Sequence, residues 1–249
     1  PAVMSAVQVR TFRSQDGVVD VTSLSERYLA RSHHTPGTSL ICLENTHNRA
    51  GGTVTNVQVH RACHELAQDL GVPVHLDGAR LFNATISLGV EPIEVTSYVD
   101  TVSVCLSKGL CAPIGSVLSG SADFIDQARY WRKRFGGGMR QSGVIAACGL
   151  VAIETLIPRL AIDHGRANTL ASFVSTLPGL SVVTPQTNIV MIDTVVPAEK
   201  WVGLLADLEV WVIAMGRNRL RAVLHHDITD EGLSRAIDGF KKVSDAGLR

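Results

Sequence analysis

Two stretches decide how this chain folds: VPVHLDGAR (72–80) and TVSVCLSKG (101–109). Each is a short apolar run, rich in β-branched residues, that stops abruptly at polar residues and a glycine. Such runs read as strands, and the spacing between them predicts a helix over 80–88 with Gly89 as its C-cap. Strand, helix, strand is the unit from which parallel sheets are built.

Working outward, SLICLE (39–44) reads as an earlier strand, buried on both faces. A helix over 58–70 that stops at Gly71 follows it. Downstream, PIGSVL (113–118) predicts a further strand, and 121–134, 142–158 and 160–176 predict helices, the first two divided by Gly136-Gly137-Gly138. The texture then changes. Short strands at 180–183, 188–193, 210–214 and 219–224 surround a helix over 198–208, and a closing helix over 230–243 starts after Thr229, a natural N-cap. The expected fold class is α/β, with a large domain over 1–157 and a small α+β domain over 158–249.

Composition narrows the function classes. The 249 residues are 45% apolar and 18% charged, with 23 basic and 23 acidic side chains, so the formal net charge is zero. A neutral chain does not advertise an electrostatic footprint for nucleic acid or an acidic membrane. No apolar run approaches the roughly 20 residues that cross a bilayer, and PAVMSAVQVRTFRSQ lacks a signal-peptide core. The five cysteines have no paired close spacing, and Cys42, Cys105 and Cys148 sit in apolar stretches. They read as reduced, buried thiols of a cytoplasmic protein.

Ligands of open α/β sheets gather beyond the carboxyl ends of the strands. Asp77 and Lys108 stand at that address. An isolated aspartate there commonly caps a turn, and a lone lysine is commonly solvated. The pair has a second reading. A desolvated lysine is a nucleophilic amine, and a carboxylate on the next strand can keep a pyridinium nitrogen protonated. Lysine for the aldehyde and aspartate for the ring nitrogen is how a protein holds and tunes pyridoxal 5'-phosphate.

Five segments carry a resemblance: LICLENTHNRAGG (40–52), HLDGARLFNA (75–84), SVCLSKGLCAPIGSVLSG (103–120), RKRFGGGMRQSGVIAACGL (132–150) and RLRAVLHHDIT (219–229). In this order and spacing they resemble the low-specificity L-threonine aldolases, in the β-eliminating lyase group of fold-type-I pyridoxal-phosphate enzymes. The resemblance implies a PLP-dependent transferase-like large domain, truncated at its amino terminus, plus a small C-terminal domain. It implies retro-aldol cleavage of L-threonine or L-allo-threonine to glycine and acetaldehyde by a homotetramer that takes a small amino-acid substrate.

Roles follow position by position. The resemblance makes Lys108 the Schiff-base lysine and Asp77 the partner of the ring nitrogen. It makes Arg80 and Arg221 the pair that grips the substrate carboxylate, with Arg80 also near the cofactor. Arg140, with Lys133 beside it, falls near the cofactor of a neighbouring subunit. His34, with His33 as its close rival, falls near the substrate hydroxyl, and Glu44 and His47 shape the pocket. Family members place a phosphate-gripping Gly/Ser/Thr loop and a ring-stacking histidine ahead of the matching part, and residues 1–32 contain neither. Cys111 stands where the family has glycine, a change expected to be tolerated. The alternatives are a catalytically impaired homologue that binds an intact family member, or another amino-acid lyase on the same scaffold.

Other motifs are set aside. His60 and His64 have the i, i+4 spacing of a zinc pair, but Arg61 replaces the glutamate of the metalloprotease signature, so a solvated helix face is expected and no metal. The triple glycine does not follow a strand and is not a dinucleotide fingerprint. His225 and His226 belong to a strand end, and Trp131, Trp201 and Trp211 are expected to pack.

Overall fold

The computed structural model describes residues 2–12, 14 and 16–247. Helices α1 (Ala2–Ser5) and α2 (Val21–Arg27) precede strand β1 (Ile41–Glu44), helix α3 (Val57–Leu70), strand β2 (Val74–Asp77) and helix α4 (Leu81–Leu88). Helix α5 (Pro92–Thr96), strands β3 (Thr101–Cys105) and β4 (Ser116–Ser119), and helices α6 (Ala122–Arg134) and α7 (Gly143–Thr155) follow. These carry the first sheet, ordered β1-β2-β3-β4, in which β1, β2 and β3 are parallel and β4 runs antiparallel against β3.

Helix α8 (Leu160–Val174), strands β5 (Leu180–Val183) and β6 (Ile189–Thr194), helix α9 (Ala198–Ala206), strands β7 (Ile213–Gly216) and β8 (Arg219–Val223) and helix α10 (Asp230–Asp245) make up the rest. Their sheet is wholly antiparallel, in the order β5-β6-β8-β7.

Local chemistry accounts for the boundaries. Gly71 and Gly89 end α3 and α4 with φ of 65° and 67°, the left-handed turn that glycine adopts at no steric cost. Thr229 caps α10 by accepting from the Gly232 amide at 3.2 Å. Three short helices lay outside the sequence pattern: α1, α2 and α5. α2 is capped by Asp20, whose carboxylate accepts from the Thr22 and Ser23 amides. α5 starts at Pro92 behind a reciprocal Glu91–Glu94 capping box.

Alternation along the parallel strands sets the two faces of the first sheet. Ile41, Leu43, Val74, Leu76 and Val102 point to one face and form a core with Leu24, Cys63, Ala67 and Val95 from the covering helices. Cys42, Glu44, His75, Asp77, Thr101 and Ser103 take the other face, which is only partly covered. β1 is therefore buried on one face rather than two, and Cys42 is exposed. Only Cys63 of the five thiols is fully buried, so the reading of Cys42, Cys105 and Cys148 as buried thiols fails: the first two project from the polar face and the third is half-buried.

The second sheet packs Val190, Ile192, Leu220 and Ala222 against Trp201, Leu170 and Phe240 in a separate apolar core. Of the three tryptophans only Trp201 packs inside. Trp131 and Trp211 are exposed because α6 buries none of its residues and Trp211 lies just before the edge strand β7.

Candidate active site

The candidate side chains cluster at the carboxyl ends of β1, β2 and β3: Glu44 and Asp77 are the last residues of β1 and β2, Asn48, Arg80 and Lys108 lie on the segments that follow, and Arg221 comes from β8. Gly78 follows Asp77 and donates its amide to the Ser103 carbonyl at 2.8 Å. A Cβ on Gly78 would lie 3.0 Å from that oxygen and 3.0 Å from a Val102 methyl, so a glycine lets the loop turn against β3. Asp77 is exposed on the open face. Its Oδ1 accepts from the Ala79 amide at 3.0 Å, which fixes the carboxylate, and no protein donor meets Oδ2 among the described residues. Its charge registers on its neighbours. Burial pushes the His75 imidazole down, with Asp77 opposing. Burial and then Asp77 push the Cys42 thiol up.

Lys108 sits beyond β3 in a turn whose carbonyl accepts from the Cys111 amide at 2.9 Å. The neighbours Leu106, Leu110 and Ala112 are buried against Ala152 and Leu160, so the loop is pinned on either side of the lysine. Gly109 lies flush on that layer: a Cβ there would come within 2.7 Å of Leu160 Cδ2. Lys108 as a whole is exposed.

Arg80 opens α4 and Arg221 lies on β8. Their Nη1 atoms both donate to one oxygen, Asn48 Oδ1, at 3.0 and 3.2 Å. Burial and the like charge of Arg221 push the Arg80 guanidinium down, and Glu44, Cys105 and Asp77 act against that shift. Arg221 Nε is buried with no hydrogen-bond partner. Glu44 Oε1 accepts from the Asn48 amide at 3.0 Å, and Oε2 faces His47 Nε2 at 3.6 Å. His47 Nδ1 accepts from the Ala50 amide at 3.2 Å, so the proton of the neutral ring sits on Nε2, toward the carboxylate.

The structure thus brings together Glu44, His47, Asp77, Arg80 and Arg221. Lys108 lies beyond the carboxyl end of β3, with no side-chain hydrogen bond or ion pair to them among the described residues. His34 is exposed on the 30–38 loop, where its backbone amide meets Ser32 Oγ at 3.1 Å. Its imidazole has no hydrogen bond to protein among the described residues. His33, Lys133 and Arg140 are exposed as well, and none of the three is drawn to the arginine pair.

Asn48 was not singled out from the sequence. An asparagine before Arg-Ala-Gly-Gly reads as a turn residue, and its partners lie 32 and 173 residues away. The expectation for His60 is overturned. It is buried and exchanges a hydrogen bond with Asn45 Nδ2 at 3.0 Å, because a neutral imidazole enters a core once an amide meets it.

Comparison with known proteins places this geometry in a class. A family model described as beta-eliminating lyase matches residues 1–196, and the chain belongs to that family. Its fold is the type I fold of pyridoxal-phosphate-dependent enzymes. The chain is 38% identical to "Low-specificity L-threonine aldolase 1" of Arabidopsis thaliana, in a match covering 97% of this chain and 70% of the relative. It is 36% identical to "Low specificity L-threonine aldolase" of Escherichia coli K12, covering 77% of this chain and 56% of the relative. Among solved structures, threonine aldolase from Leishmania major superposes with a TM-score of 0.78 at 18% identity, covering 95% of this chain and 70% of the other. A putative L-allo-threonine aldolase from Listeria monocytogenes superposes with a TM-score of 0.75 at 20% identity, covering 90% of this chain and 65% of the other.

Proposed function

We propose that this lyase cleaves L-threonine and L-allo-threonine between Cα and Cβ, giving glycine and acetaldehyde, with pyridoxal 5'-phosphate as cofactor. The observation that carries the reading is the convergence of two guanidiniums, one from each sheet, beside a fixed carboxylate at the strand ends. The donor set fits the cofactor. A lysine amine and an anchored aspartate share one open strand-end face, and a buried guanidinium N–H is without a partner.

When bound, the cofactor supplies an electron sink for the pair left at Cα as the Cα–Cβ bond breaks. Asp77 holds a proton on the ring nitrogen. Lys108 would hold the cofactor through its amine. Arg80 and Arg221 bind the carboxylate through their planar forks and so set which bond at Cα stands across the ring. His34, whose imidazole meets no protein acceptor, takes the β-hydroxyl proton. Glu44 holds His47 and Asn48 in place and shapes the pocket wall. Arg140, with Lys133 beside it, reaches the cofactor of a neighbouring subunit.

We place the boundary between large and small domains at 157/158, between α7 and α8. The functional unit in this proposal is a homotetramer that takes a free amino acid. What supports self-association is α7, apolar on all sides yet exposed at Val144, Leu150 and Val151. Among the described residues no single helix is long and apolar enough to cross a membrane. Five free thiols suit the reducing cytoplasm, where we place the protein.

Product analysis with L-threonine, L-allo-threonine and L-serine tests the reaction. Glycine and an aldehyde in equal amounts are expected, the aldehyde being acetaldehyde from the two threonines and formaldehyde from any serine that is cleaved. Ammonia and a keto acid would reject it. His34→Ala should lower kcat by about 10²–10⁴-fold, the range for a placed general base, and Lys108→Ala should lower it further.

A further inference from the structure

Asn48 occupies an unusual electrostatic position. Two guanidiniums converge on its single neutral oxygen. Neither makes an ion pair with a carboxylate among the described residues. Glu44, the nearest acidic group on the same loop, spends its oxygens on the Asn48 amide and on His47. Burial first, and then the like charge of Arg221, push Arg80 down, and both cations are nevertheless held on one oxygen.

The loop that carries Asn48 is fixed independently of the arginines. Asn45 bridges its two ends, accepting from the Thr55 amide at 3.2 Å and donating to the Thr55 carbonyl at 2.8 Å. His47 pairs across the loop with Thr53. The segment is also docked on the second sheet: Thr187 Oγ1 donates to the Gly52 carbonyl at 2.9 Å, and Gln186 Oε1 accepts from the Val54 amide at 2.7 Å. A Cβ on Gly51 would come within 2.5 Å of Met191 Cγ. The carboxamide is therefore presented from a rigid seam to one arginine of each sheet.

We infer that Asn48 is a positioning residue that gathers Arg80 and Arg221 on an uncharged oxygen, so that the carboxylate of an incoming amino acid supplies the negative charge at that focus. The inference rests on the assignment of these arginines to the substrate carboxylate. The chemistry explains an amide in place of an acid. An aspartate of the same shape would neutralise the pair from within and compete with the ligand. An alanine would release both side chains to solvent and cost orientation entropy on binding.

The test compares Asn48→Asp and Asn48→Ala with the parent, each as the full chain with pyridoxal phosphate. Asn48→Asp should raise KM for L-threonine by about tenfold or more with a smaller change in kcat, the signature of lost uniform binding, and should raise the melting temperature. Asn48→Ala should raise KM several-fold without raising the melting temperature. A purely structural asparagine would instead give two variants that both melt lower and lose kcat together.

A second readout needs no turnover. Propionate, titrated at constant ionic strength, should raise the melting temperature of the parent, and Asn48→Asp should lose that response. A parent that turns over nothing but responds to propionate in this Asn48-dependent way overturns the reaction and leaves the inference standing. Unchanged KM together with an unchanged propionate response in Asn48→Asp overturns the inference.

Discussion

At the scale of single residues, Cys111 and His60 carry the clearest consequences. Cys111 holds φ at 60°, in the left-handed region, on the turn that presents Lys108. A side chain there costs roughly 1–2 kcal/mol relative to glycine. Cys111→Gly is therefore expected to stabilise the chain by about 1 kcal/mol, since glycine's larger unfolded-state freedom offsets part of the gain. Denaturant unfolding checks this, and a lower midpoint would contradict it. The residue type alone carries no sign of this cost; the backbone angle does.

His60 makes the pH prediction. Burial pushes its imidazole down from 6.5 to about 4. Between those values the unfolded chain binds a proton that the folded chain does not, so stability is present above pH 6.5 and is lost as pH falls toward 4. The difference corresponds to about 3 kcal/mol from this group, at roughly 1.36 kcal/mol per pH unit. Unfolding free energies measured from pH 7 to pH 4 should fall along that window, and His60→Gln should flatten the slope. An unchanged slope in the variant would contradict the assignment.

At the scale of elements, strands and helices with strong punctuation were legible. Gly71, Gly89 and Thr229 end or begin helices where their chemistry says they must, and Asp77 and Lys108 follow strands as their patterns predict. What could not be read was which faces the elements turn to one another. An apolar run such as SLICLE fits a strand buried on one face or on two, and only the packing of Leu43 inward and Cys42 outward decides. α2 and α5 were missed because five to seven residues are too few for a periodic pattern.

Helix α7 shows the same limit from the other side. Its sequence is apolar all round, which reads as a buried helix, yet Val144 and Val151, on one face seven residues apart, are more than half exposed. In the proposed tetramer that face meets another copy. Val144→Glu combined with Val151→Glu should lower the solution mass measured by sedimentation while leaving far-ultraviolet dichroism unchanged. A variant with the parent's mass would remove this face from the interface.

At the scale of the whole molecule, a seam joins the two sheets. The first sheet supplies Asp77, Arg80 and Lys108, the second supplies Arg221, and the 45–56 loop locks the two together through Gln186, Thr187 and Met191. Asn83 extends the seam by meeting His164 at 3.1 Å and Asn188 at 3.4 Å, all three of them buried. The strand-end residues were legible because each follows a marked run. The convergence of Arg80 and Arg221 on Asn48 was not, because it is long-range in sequence and set by how two sheets dock.

In the proposed function Lys108 and Asp77 would hold one cofactor ring between them. The most direct measurement is the visible absorbance band of lysine-bound pyridoxal phosphate, recorded on the parent, on Lys108→Ala and on Asp77→Asn after mixing with the cofactor. The account predicts a band in the parent that is absent in Lys108→Ala and altered in position or pH response in Asp77→Asn. No band in the parent, or one that persists in Lys108→Ala, would contradict it.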